Sequence, residues 1–121
     1  MLFLDELKDK QVKIALGSSS KNARTILKAL NIDGYFDVIV DGTNTTKSKP
    51  DPQVFNLGAE ALGLSSNTIV VFEDAVKGVE AAKTGNFKTI GVGDESVLSN
   101  ADAVISDFQD FVFADLINLL N

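Results

Sequence analysis

Neither cysteine nor histidine occurs in the 121 residues. The first absence removes disulfides and thiolate metal sites; the second removes imidazole base catalysis and histidine-ligated zinc. Any metal held here takes oxygen ligands, so a hard ion such as Mg²⁺ is the natural candidate. Positive charge is also scarce, with 11 Lys and Arg against 17 Asp and Glu and a net charge of −6. That balance argues against a nucleic-acid partner, which calls for a basic face. No apolar run approaches the roughly 20 residues that cross a bilayer. The opening "MLFLDELKDKQ" places Asp5, Glu6 and Lys8 early and offers no small-residue cleavage site, so it does not read as a signal peptide. A cytoplasmic location is the resulting expectation. What remains is ordinary for a globular chain, 45% apolar and 23% charged, with the length of one domain rather than two.

Apolar runs rich in branched residues alternate with segments of helical period. "VKIAL" (12–16), "FDVIV" (36–40), "TIVVFE" (68–73), "KTIGV" (88–92) and "AVI" (103–105) predict short strands. Their apolarity is continuous rather than alternating, which implies burial on both faces, as in a parallel sheet. Helices are predicted over 2–10, 21–30, 52–63, 75–85 and 110–120. In the second, Ala23, Ile26, Leu27 and Leu30 share one face. Val54, Phe55, Gly58, Ala59 and Leu62 share another, with Gly63 placed to stop that helix. Val76, Val79 and Ala82 form a third stripe, ended by Gly85. This alternation predicts a three-layer, doubly wound, mainly parallel α/β sheet of Rossmann-like type. Ligands of such sheets bind beyond the carboxyl ends of the strands.

Three strand ends carry polar clusters. After "VKIAL" comes "GSSSKN": Gly17, then hydroxyls at Ser18, Ser19 and Ser20, a charge at Lys21 and an amide at Asn22, all where a helix begins. Such donors at a helix N-terminus suit a phosphate, although one serine acting as an N-cap is the plainer reading. After "FDVIV", Lys49 lies beside Pro50 and Pro52 just before a helix and reads as a second phosphate ligand or as a solvated loop lysine. After "TIVVF", Glu73 and Asp74 are adjacent carboxylates that need compensation. Mg²⁺ would provide it; alternatively Asp74 caps the next helix and Glu73 pairs with a lysine.

Taken in order, "IALGSSSKNA", "KSKPDPQVF", "VVFEDAVKGVEAAKTG" and "TIGVG" resemble the haloacid dehalogenase superfamily of phosphotransferases, most closely its β-phosphoglucomutase-like subgroup. The resemblance implies that Ser18 hydrogen-bonds the transferring phosphoryl group and that Lys49 neutralises its charge. Ser20, Lys21 and Asn22 would contact the other phosphate of a sugar bisphosphate, and Glu73 and Asp74 would hold Mg²⁺. Phosphoryl transfer depends on positioning and charge neutralisation, which these residue types supply.

The family's nucleophile is the first aspartate of an Asp-x-Asp motif after an N-terminal strand. "DVIVDGT" offers Asp41-Gly42-Thr43, but Ile39 stands two residues before Asp41. The stretch also occupies the wrong place in the family's order. It reads as a strand and its exit turn, for which Asp-Gly is suited. The resemblance therefore implies the carboxyl-terminal part of a single core domain over 1–121, without the first central strand, the nucleophile or the cap domain. The expected activity is conversion of β-glucose 1-phosphate to glucose 6-phosphate, with this chain alone inactive. A sugar-phosphate phosphatase and a non-catalytic phosphate- or Mg²⁺-binding module are the alternatives. The missing strand would lie between those ending at Leu16 and Glu73. Their edges would then pair with each other, with a second copy, or with the rest of the enzyme.

Overall fold

The computed structural model describes residues 2–121. Five helices and five strands follow one another, in alternation up to the fourth strand: α1 (Leu2–Asp9), β1 (Ala15–Gly17), α2 (Ala23–Ala29), β2 (Val38–Val40), α3 (Gln53–Leu62), β3 (Val70–Glu73), α4 (Val76–Thr84), β4 (Lys88–Val92), β5 (Ala103–Ile105) and α5 (Phe113–Leu120). Single 3₁₀ turns at Asp33–Tyr35 and Ser66–Thr68 precede β2 and β3. Every strand pair is parallel, as the continuous apolar runs imply.

The pairing is interrupted. β1 pairs only with β2, in the register Leu16 to Ile39, and β3, β4 and β5 form a separate sheet in that order. Adjacent pairing of the first and third strands, one of the expected repairs, does not occur. Two apolar layers nonetheless embrace both sheets. Phe3 and Leu7 of α1 and Leu116 of α5 pack with Ile14, Ile90 and Phe111 on one face. Ala59 of α3 and Ala82 of α4 pack with Val71 and Phe87 on the other. β3 shows the division residue by residue: Val70 and Phe72 turn to the first layer and Val71 to the second. Side chains of a strand alternate in this way, so β3 needs apolar residues throughout.

Helix ends follow local chemistry. Gly63 closes α3 in the left-handed conformation, φ 70°, donating its N–H to the carbonyls of Ala59 and Glu60. Gly85 does not do the same for α4: its φ is −80°, and Asn86 takes the left-handed turn at φ 65°. Asparagine tolerates that region better than other side chains. At the start of α5, Asp115 accepts the N–H of Val112, and the carboxylate of Glu6 accepts the N–H of Phe113 at 2.7 Å, joining α1 to α5.

The predicted face of α2 is only half correct. Ala23 and Leu27 are buried, but Ile26 and Leu30 are exposed. Val76 likewise lies exposed, while Val79 and Ala82 are sealed in the core.

Candidate functional site

The loops that follow β1, β2 and β3 gather at the carboxyl ends of those strands. Between β1 and β3 lies a cleft of about 500 Å³. Its mouth is polar, with Ser18, Ser19, Ser20, Lys49, Glu73 and Asp74; its floor is apolar, with Leu16, Ala23, Ile26, Leu27, Phe72, Val92 and Phe108.

The serine loop is built on its own hydroxyls. Ser18 Oγ accepts the N–H of Ser20 at 3.1 Å, and Ser20 Oγ accepts the N–H of Asn22 at 3.1 Å. An oxygen that accepts a backbone N–H still has its proton to donate, so both hydroxyls remain donors. No serine caps α2: Asn22 occupies the cap position and its side chain makes no cap bond. Lys21 and Asn22 stand beside the cleft and do not line it.

The exit turn of β2 braces this loop. Asp41 is buried at 2% exposure, and Arg24 forms an ion pair with its carboxylate. The same guanidinium reaches the Ile39 carbonyl at 2.6 Å. Asp41 also accepts the Thr43 N–H and hydroxyl. The Thr43 hydroxyl, the Thr43 N–H and the Arg24 guanidinium together hold the Asp41 carboxyl below its usual range, against the opposing effect of burial. Gly42 donates its N–H to the Ser20 carbonyl at 3.0 Å. A Cβ at Gly42 would come within 2.4 Å of the Ser19 carbonyl oxygen, so only glycine allows the two loops to touch. Asp41 thus serves as the keystone of a turn. Its side chain is bound up in that turn and does not line the cleft. Arg24 was invisible to sequence reasoning. It is the chain's only arginine, and that rarity was the available signal, since a fork of donors suits a carboxylate and a carbonyl together.

Lys49 and Glu73 meet across the mouth. Lys49 Nζ lies 2.8 Å from Glu73 Oε2, with side-chain exposures of 17% and 10%. It also lies 5.0 Å from the centre of the Phe55 ring, a cation–π contact. The other Glu73 oxygen accepts the N–H groups of Asp74 and Ala75 at 3.1 and 3.3 Å. Asp74 is exposed and does not cap α4, whose cap position is Ala75. The two readings of Glu73 therefore converge, because its lysine partner is the candidate phosphate ligand itself.

For Mg²⁺ the fit is incomplete. Among the described residues no three acidic side chains cluster. Glu73 is engaged by Lys49 and two N–H groups, which leaves Asp74 as the acidic side chain at the mouth without such engagement. A hard ion takes six or so oxygens, so these two residues alone do not hold it.

The family profile described as haloacid dehalogenase-like hydrolase matches residues 2–92. The β-phosphoglucomutase of Bacillus subtilis is 39% identical over 107 residues, covering 88% of this chain and 47% of that protein. The phosphorylated carbohydrates phosphatase of Thermotoga maritima is 36% identical over 108 residues, covering 84% of this chain and 50% of that protein. The crystal structure of β-phosphoglucomutase from Clostridium difficile superposes with a TM-score of 0.91 at 31% identity, covering 96% of this chain and 52% of that one. The chain spans about half the length of the curated relatives it matches. It belongs to the haloacid dehalogenase-like hydrolase family, in the β-phosphoglucomutase-like subgroup.

Proposed function

We propose that the cleft between β1 and β3 grips a phosphoryl group of a sugar phosphate, as part of a phosphotransferase that interconverts β-glucose 1-phosphate and glucose 6-phosphate. One observation carries this reading. The Ser18 hydroxyl and the Lys49 ammonium, from different loops, reach the same mouth at the carboxyl ends of parallel strands. Ser18 donates a hydrogen bond to a phosphoryl oxygen, and Lys49 offsets its negative charge. Ser20, Lys21 and Asn22 would contact a second phosphate. Mg²⁺ is the cofactor this reading calls for, with Glu73 and Asp74 as two carboxylates toward it, fewer than the ion takes. Asp41 is bound up in its own turn and Asp74 is, in this reading, a carboxylate toward Mg²⁺, so residues 1–121 alone are expected to show no turnover.

Inorganic phosphate should bind with a Kd on the order of 1 mM, about −4 kcal/mol. NMR titration should shift amides from Gly17 to Asn22, and Lys49→Met should abolish the shifts. Unmoved amides would refute the anion site. Turnover of β-glucose 1-phosphate that survives Asp41→Ala would refute the inactivity.

A phosphatase acting on small sugar phosphates is the second reading. It is favoured by the position of Lys21 and Asn22, which stand outside the cleft where a mutase would grip its second phosphate.

A further inference from the structure

Lys49 reaches the mouth of the cleft from a long connection. Residues 41–52 join β2 to α3 without strand or helix. A lysine there has a flexible four-carbon stem on a loop backbone, and ordering both on a ligand opposes binding. Two contacts steady the tip of the side chain, Glu73 Oε2 at 2.8 Å and the Phe55 ring at 5.0 Å. Neither holds the backbone from which the stem departs.

Gln53 holds that backbone. Its Oε1 accepts the N–H of Thr46 at 2.7 Å and the N–H of Lys47 at 2.8 Å. Its Nε2 donates to Thr46 Oγ1 at 2.9 Å. Asp51 closes the other half of the loop. Its N–H goes to the Ser48 carbonyl at 3.0 Å, and its Oδ1 accepts the N–H of Gln53 at 2.9 Å. Residues 46–53 are thereby tied into a ring that contains Lys49. Gln53 is the first residue of α3, which Val54, Ala59 and Leu62 root in the core. Its carboxamide is a strut from a rigid helix to a loop, with both ends of the amide bonded.

Stability alone gives little reason for such a strut. Thr46 and Lys47 are exposed, so water can bond the same groups when the amide is removed. Gln53 does not line the cleft either. What its three bonds determine is where the Lys49 stem begins. We infer that Gln53 is a positioning residue for Lys49, an inference that rests on the reading of Lys49 as a phosphoryl ligand. It fixes the base of the loop, so the ammonium is presented at the mouth already ordered. A binding group works at full strength only when the residues behind it are themselves held.

Two substitutions in the 121-residue chain test the role. Gln53→Met keeps the length of the side chain and removes all three bonds. Gln53→Glu keeps them, since a carboxylate accepts both N–H groups and the Thr46 hydroxyl can turn to donate. One readout is titration with inorganic phosphate, followed at the amides from Gly17 to Asn22, which lie on a different loop. The other needs no phosphate. Protons over the face of an aromatic ring are displaced upfield, so the ε-methylene protons of Lys49 report its seat on Phe55. Lys10, whose ammonium lies 5.1 Å from the centre of the Phe113 ring, is the internal reference. Gln53→Met should raise the phosphate Kd by about threefold to tenfold, the cost of ordering one long side chain on binding. It should also return the Lys49 protons toward ordinary lysine positions and leave Lys10 unmoved. Gln53→Glu should keep the Lys49 displacement. An unmoved Lys49 signal in Gln53→Met would overturn the inference, and so would a phosphate Kd equal to the parent's. Loss of the displacement in Gln53→Glu would do the same, as would unfolding of Gln53→Met, which would make the residue structural. A parent chain that binds no phosphate refutes the anion site instead, and the Lys49 signal then decides the role of Gln53 by itself.

Discussion

Replacing Gly78 by alanine sets two effects of opposite sign against each other. Within a helix, alanine is favoured over glycine by about 0.5–1 kcal/mol. By that effect alone the substitution in α4 stabilises. At Gly78, however, a Cβ would fall 2.0 Å from Glu73 Cδ and 2.2 Å from Cγ. The Glu73 side chain must turn away, and its 2.8 Å contact with Lys49 is lost. A charge-assisted hydrogen bond contributes about 1.5–3 kcal/mol. Both charges stay near the open cleft and can rehydrate, so the larger cost of stranding a buried ion does not apply. The net expectation is destabilisation by about 0.5–2.5 kcal/mol, read as a lower urea midpoint at unchanged m-value. Gly58→Ala is the internal control. It lies within α3 with nothing within 4 Å of its would-be Cβ, so it should stabilise by about 0.5–1 kcal/mol. Gly78→Ala as stable as the parent, or more so, would refute the view that Gly78 makes room for Glu73.

Ile90 is 1% exposed at the centre of the three-stranded sheet, and Ile90→Ala should cost about 2–5 kcal/mol in denaturant unfolding, Ile90→Val about 0.5–1.5. Asp41 has a folded-state pKa below its unfolded one, so its contribution is fully present above the ordinary value of 3.8 and is lost as pH falls through the folded value. Asp41→Asn should therefore flatten the acid-side loss of stability below about pH 4, measured by thermal unfolding across pH; an unchanged acid slope would count against the keystone role. Gly42→Ala should disturb the loops after β1 and β2 together, visible as amide shifts from Ser18 to Lys21 as well as around Thr43, because its Cβ would strike the Ser19 carbonyl.

Where the sequence was legible, one dominant physical cause operated. β4 and β5 begin and end where "KTIGV" and "AVI" do, with Gly93 ending the first run and Asp102 and Ser106 bounding the second. Gly63 stops α3 because the left-handed turn suits glycine. Elsewhere two causes competed. "VKIAL" yields strand only from Ala15 to Gly17, since the open edge beside it removes the pairing that would extend it. The apolar period of α2 promised burial for Ile26, but burial needs a neighbour, and the cleft supplies none. At the site, the meeting of Ser18 with Lys49, Glu73 and Asp74 followed from the strand-end rule. The Arg24–Asp41 clamp did not, because a lone arginine carries no periodicity and its partner resembled a catalytic motif.

A sheet with no hydrogen bond across its middle also divides the molecule's cooperativity. β1 and β2 with α3 form one block; β3, β4 and β5 with α4 form another. They are joined by side chains, as where the rings of Phe55 in α3 and Phe87 just before β4 meet edge to face, 6.0 Å between centres. Aromatic packing is far less directional than a ladder of backbone bonds, so the blocks are free to loosen at different denaturant concentrations. Unfolding of this chain should then separate into two transitions, and a strand laid across the divide would fuse them into one.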